Sequence, residues 1–227
     1  MAIAATILFG SLARADQSEG SDTDLLMIDL DDDTRHVSVG HLSLFVYPWH
    51  QLAQDAHSGD LFVCHLVREA KALVDPDGYL EKLRDAFHFR SSYADEIGHA
   101  ADFGWYLVLY GNELNPSLLT KRALWCIRTV LIARSAERRD PVFAPHQLAE
   151  ETRSVAAREF LSHRHDPRDD ATVRQVLRSF LEAEELSDAD LLNANRETFF
   201  QRFSATANKV ALQTLHQEDH SRAGYVG

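Results

Sequence analysis

The chain has 227 residues, 45% of them hydrophobic, with 23 Lys and Arg against 35 Asp and Glu and a formal net charge of −12. That size can bury one sizeable core or two small ones, and a change of pattern near residue 90 favours two domains, 1–90 and 91–227. The charge is uneven: residues 1–90 hold 7 Lys and Arg against 15 Asp and Glu, a net −8, which argues against a nucleic-acid partner because phosphate backbones need a basic footprint.

The apolar start, Met1 to Phe9, is too short to span a bilayer and no basic residue precedes it, so it reads as the first strand, Ile3–Phe9, and no membrane role is expected. A turn at Gly10-Ser11 follows, then a strand over Asp24–Leu30 and another over Val37–Tyr47, with a bulge expected near Gly40. The run Asp29 to Asp33 lacks the spacing and central glycine of a calcium loop and reads as a solvated hairpin turn between those two strands. On the later strand His41, Ser43, Phe45 and Tyr47 share a face. If that face is turned to Asp22 and Asp24, His41 and Ser43 line the same site. Helices are predicted at Trp49–Ala56 and Leu61–Leu73, with a turn at Asp75-Pro76-Asp77-Gly78 before a helix that starts at Tyr79.

From about Ser91 the pattern is all-helical. Candidate helices run over Ser92–Tyr110, Ser117–Glu137, Pro145–Ser162, Asp169–Glu185 and Asp188–His216, and the tail from Gln217 is expected to fray. The second of these carries a stripe at Leu119, Ala123, Cys126, Val130 and Ala133, the face of a bundle helix. Trp105 and Tyr106 are expected in the core. The two cysteines, Cys64 and Cys126, fall in apolar helical stretches and read as buried thiols in a reducing compartment, hence a cytoplasmic protein.

The chemistry concentrates at the start. Gly10 lets backbone approach a phosphate with no Cβ in the way, Ser11 adds a hydroxyl and an N–H, and Arg14 adds a fixed positive charge. After seven intervening residues come Asp22 and Asp24. Residues i and i+2 of a strand point to one face, so they present two hard oxygen ligands side by side, which suits Mg²⁺ or Mn²⁺ carrying a nucleoside triphosphate. A glycine-serine turn beside an aspartate-rich surface hairpin is the plainer reading of the same residues.

The pattern Gly10-Ser11-Leu12-Ala13-Arg14 followed by Ser21-Asp22-Thr23-Asp24-Leu25 resembles the DNA polymerase β-like nucleotidyltransferase superfamily. Its later features, the apolar strand His41–Tyr47 and the segment Gly78-Tyr79-Leu80-Glu81-Lys82, resemble the kanamycin nucleotidyltransferase-like and minimal nucleotidyltransferase branches. The resemblance implies an α+β chain: a small mixed-sheet nucleotidyltransferase domain followed by an all-α helical bundle. It implies Asp22 and Asp24 as catalytic metal ligands, Gly10, Ser11 and Arg14 as nucleotide-binding residues, and transfer of a nucleoside monophosphate to a hydroxyl of a small molecule or protein with release of pyrophosphate. In the family the later strand usually carries a third carboxylate, where this chain has Ser43, and a glycine follows the arginine, where it has Ala15. Asp95, Glu96 and Asp102 are candidates for the acceptor's base.

Two other readings stay open. Loss of the third carboxylate is compatible with a nucleotide-binding pseudoenzyme or an antitoxin-type interaction protein. Arg158 and His163 have the Arg-x4-His spacing of HEPN ribonucleases. A homodimer also stays open.

Overall fold

The computed structural model describes residues 3–17, 21–30 and 34–223, with side chains as far as residue 217. It divides into two compact units: residues 1–92 with 136–144, and residues 93–135 with 145–227. The first is α+β and every described element of the second is helical. The segment 136–144, which a boundary at residue 90 places in the second domain, belongs with the first unit.

The first unit begins with β1 (Ile3–Phe9), whose alternate residues Ala5, Ile7 and Phe9 are buried. A short helix, α1 (Gly10–Arg14), leads to β2 (Thr23–Asp29), where Leu26 and Ile28 are buried. β1 and β2 are antiparallel with Ile7 opposite Leu26 and Phe9 opposite Asp24, so Asp24 lies on the core-facing side at the end of the sheet. The expected single strand over Val37–Tyr47 is instead a hairpin, β3 (Arg35–Val39) and β4 (Leu42–Pro48). Gly40, at φ +58°, takes the first place of its two-residue turn.

This hairpin also changes the topology. The strand order is β3-β4-β2-β1-β5, and β4 runs parallel to β2, so β3 does not pair with β2 and no hairpin turn joins them. Asp29 is fully buried at the end of β2 rather than solvated, and Asp31 to Asp33 lie outside the described residues.

Two helices follow, α2 (Trp49–His57) and α3 (Leu61–Glu69). The Asp60 carboxylate caps α3 by accepting from the N–H groups of Phe62 and Val63, at 2.8 and 3.0 Å. α3 stops at Glu69 where a helix to Leu73 is predicted. Lys71–Val74 forms β5, the far edge strand, antiparallel to β1. Asp75 then accepts from the N–H groups of Tyr79 and Leu80, starting α4 (Tyr79–Ala86). Leu52, Val63, Leu66 and Leu83 from these helices cover Ile7, Leu26 and Ile28 in one core.

The second unit holds α5 (Ala94–Tyr110), a 3-10 turn (Gly111–Glu113) and most of α6 (Pro116–Glu137). It continues with α7 (Pro145–Glu151), α8 (Val155–Ser162), α9 (Asp170–Ala183), α10 (Arg196–Ala205) and α11 (Lys209–Ala223). Leu119, Ala123, Cys126, Val130, Ala133 and the ring of Tyr106 are fully buried, and Trp105 nearly so. Two predicted helices are each broken. Ser154 accepts from the Ala157 N–H and starts α8 afresh, and Ala207 turns left-handed at φ +51° between α10 and α11. α11 continues to Ala223, past the point where fraying is expected.

Glu184 is the polar centre of this unit. Only 2% exposed, it accepts from the Thr152 hydroxyl and the Arg153 N–H, both at 2.8 Å, and pairs with Arg134, which also donates to its carbonyl at 2.7 Å. No described helix is long and apolar enough to cross a membrane.

Candidate functional site

The site is built where β1 ends. Gly10 has φ +73°, and a Cβ placed on it would fall 2.3 Å from Oδ2 of Asp24. Only glycine permits both the left-handed backbone and this approach, so the turn that carries Ser11 closes directly against the Asp24 carboxylate. Gly10 and Asp24, nominated separately by sequence pattern, are thus neighbours.

Ser43 sits beside them. The parallel register of β2 and β4 places Asp24 next to Ser43, and that of β4 and β3 places Ser43 opposite Ser38, so all three share the face of Phe9. Asp22, just before β2, meets Nδ1 of His41 at 3.4 Å, with both side chains more than half exposed. Such a surface pair contributes little stability.

Arg14 is held by carboxylates. Its Nε donates to Asp16 at 3.0 Å and its Nη1 to Glu69 at 2.7 Å. His65 is 2.8 Å from the same Glu69 oxygen, and its ring stacks on Phe143 with centroids 4.5 Å apart. Burial works against the charge of Arg14, yet the hydrogen bonds and charges of Asp16 and Glu69 outweigh it and hold the guanidinium above its ordinary pKa. Burial likewise pushes Glu69 up, and the hydrogen bonds and charges of His65 and Arg14 more than reverse this, leaving it below the usual carboxylate value. Asp16, His65 and Glu69 are absent from the sequence-based candidates. The i, i+4 spacing of His65 and Glu69 on a predicted helix was the available signal.

Ala15, standing where the resembling family has glycine, is left-handed at φ +62° at the end of α1. Glycine adopts this conformation without strain, and alanine does not.

Three further candidates are engaged within the helical unit. Asp102 is buried and accepts from Nε of Arg202 at 2.6 Å. Arg158 donates to the carbonyls of Ala149 and Thr152, capping the end of α7, and the His163 ring lies 3.1 Å from the carbonyl oxygen of Glu159. An arginine and a histidine so occupied give the ribonuclease reading no geometric support. Both cysteines are buried free thiols, and burial pushes Cys64 up to about 12.

Among the described residues, no group of three or more His, Cys, Asp or Glu side chains is arranged to hold a metal ion. Mg²⁺ does not require one, because it commonly binds one or two carboxylates and takes the rest of its shell from water and substrate phosphates. Asp24, with the glycine turn closed against it, fits that mode, and Asp22 stands two residues away.

No protein-family model matches the chain, and no curated protein does. Among solved structures it is similar to the crystal structure of a nucleotidyltransferase-like protein from Exiguobacterium sibiricum 255-15, at 14% identity and a TM-score of 0.33, over 95% of this chain and 74% of that one.

Proposed function

We propose that the chain is a metal-dependent nucleotidyltransferase, which moves a nucleoside monophosphate from a nucleoside triphosphate to a hydroxyl of a small molecule or protein and releases pyrophosphate. The observation that supports this reading is the closure of the Gly10 turn against Asp24, which puts the phosphate-cradling and cation-holding residues of the motif at one end of one sheet. Asp22 and Asp24 would hold Mg²⁺ or Mn²⁺, which supplies charge neutralisation at the phosphate oxygens. Gly10 and Ser11 receive the triphosphate. Arg14, fixed below the turn by Glu69 and Asp16, contributes a positive charge that reaches the phosphates through space. Catalysis in this scheme is positioning and electrostatics, with no covalent enzyme intermediate. The acidic first unit suits a neutral or cationic acceptor.

The test is calorimetry of an α,β-methylene ATP analogue with Mn²⁺, alongside transfer of label from α-labelled nucleotides in lysate. Asp22→Asn and Asp24→Asn should each lose metal-dependent binding with helical content unchanged. Unaltered affinity in both would end the assignment.

A further inference from the structure

The structure offers a place for the acceptor. In-line displacement puts the attacking oxygen on the side of phosphorus opposite the leaving pyrophosphate. The strand order fixes what those two sides are. On one side of Asp24 is β1 with its Gly10-Ser11 turn, and on the other are β4 and then β3. The register continues the Asp24 row into Ser43 and Ser38, and the next row of the same face pairs Phe45 with His36.

Two imidazoles lie on that face, His36 on β3 and His41 just before β4, and His41 is engaged by Asp22 at 3.4 Å. The His36 ring stacks on Phe45, with centroids 4.3 Å apart and planes at 26°, and Nε2 lies 3.3 Å from the Ser38 hydroxyl. The imidazole is therefore laid back over β4, towards the Asp24 row, although β3 itself is exposed along its whole length. On this face β3 contributes only Ser38 besides His36, and β4 contributes Ser43, Phe45 and Tyr47. Asp24 is the carboxylate on β2, Phe62 of α3 packs beyond Phe45, and Arg35 alternates to the opposite face. Two strand spacings, about 10 Å, separate β3 from β2, and the His36 ring, stacked on Phe45 of β4, lies within that span.

We propose that the ledge of Ser43, Ser38 and His36 is the subsite for an acceptor alcohol, and that His36 is its general base. This rests on the nucleotidyltransferase reading. The acceptor oxygen bonds to the α-phosphorus, the bond from that phosphorus to the bridging oxygen breaks, and pyrophosphate leaves with the electron pair. The hydroxyl proton passes to the His36 imidazole and then to solvent.

The experiment compares the full-length wild type with His36→Gln, using α-labelled ATP with Mn²⁺ in lysate for transfer and the α,β-methylene analogue for binding. The variant should bind the analogue within about 2-fold of wild type but transfer label about 100-fold more slowly. It should also lose the rise of rate with pH around neutrality, and added imidazole should restore part of the rate. Equal transfer with an unchanged pH profile, in a wild type that binds and transfers, overturns the subsite alone. A wild type that fails to bind the analogue, or binds it without transferring label, overturns the subsite together with the nucleotidyltransferase reading.

Discussion

Two carboxylates, one in each unit, sit in opposite settings. Glu184 is buried, and a hydroxyl, a backbone N–H and a guanidinium all donate to it. Asp24 is half-buried at the end of a sheet, bordered by the bare Cα of Gly10 and the small side chain of Ser43. A carboxylate that its own fold supplies with three donors serves stability. The cation of the proposed reaction would sit at the other, bordered by a glycine and a serine. The arginines do not repeat the contrast, since Arg134 is paired with Glu184 and Arg14 with Glu69 and Asp16.

The comparison breaks most visibly at Glu184. Glu184→Ala removes one partner of a buried ion pair and orphans the donors around it, and should cost about 3–5 kcal/mol in urea unfolding followed by circular dichroism. A loss below about 1 kcal/mol would show that the network is not what holds the helical unit. Gly10→Ala should cost about 1–3 kcal/mol, from its left-handed backbone and from the contact with Asp24. It should also displace Asp24, so analogue binding should fall with it; a stable variant that binds normally would mean the turn does not need glycine.

The Arg14–Glu69–His65 cluster sharpens the contrast through pH. Because the Glu69 carboxyl is held below its ordinary value of 4.5, its stabilisation is present above that pH and is lost as pH falls through the folded value. Glu69→Gln should therefore be less stable than wild type by about 1 kcal/mol at pH 7, and the gap should close in acid. A gap that stays constant from pH 7 to pH 3 would contradict the assignment.

Two smaller effects bear on positions that depart from the family pattern. Ser43→Asp sets a like charge beside Asp24 and should cost up to about 1 kcal/mol without metal, a loss that Mg²⁺ reverses as a rise in Tm. No response to Mg²⁺ would place the cation elsewhere. Ala15→Gly relieves a left-handed alanine at a helix end and should gain about 0.5 kcal/mol in the same urea titration, once glycine's extra chain entropy is subtracted.

Local physics was legible in the chain, and long-range pairing was not. β1 has the expected ends because Ile3 to Phe9 is a short apolar run closed by Gly10, and the closing of α4 onto Asp75 is written in Asp-Pro-Asp-Gly. Lys71–Val74 looked like the end of a helix because its partner, β1, is some sixty residues earlier and Ala-Leu-Val suits either state. Gly40 carried the signal for the hairpin, but was taken for a bulge because flanking apolar residues continued on both sides. At the site, the motif nominated Gly10 and Asp24 by type and spacing, while the glycine's contact with Asp24 depends on register that only pairing sets. No local pattern announces that Glu69, on another helix, binds Arg14.

The discontinuity of the first unit has a consequence for how the protein is made. Phe143 stacks on His65, and Arg139 donates to the Arg90 carbonyl at 2.6 Å, yet both belong to a segment that follows α6. During synthesis, the strands and the turn leave the ribosome roughly fifty residues before the chain that completes their unit, at elongation rates of about 5–20 residues per second. The nascent sheet therefore spends several seconds with the face of His65 that Phe143 covers still bare, and a protein cut after residue 92 would keep it bare.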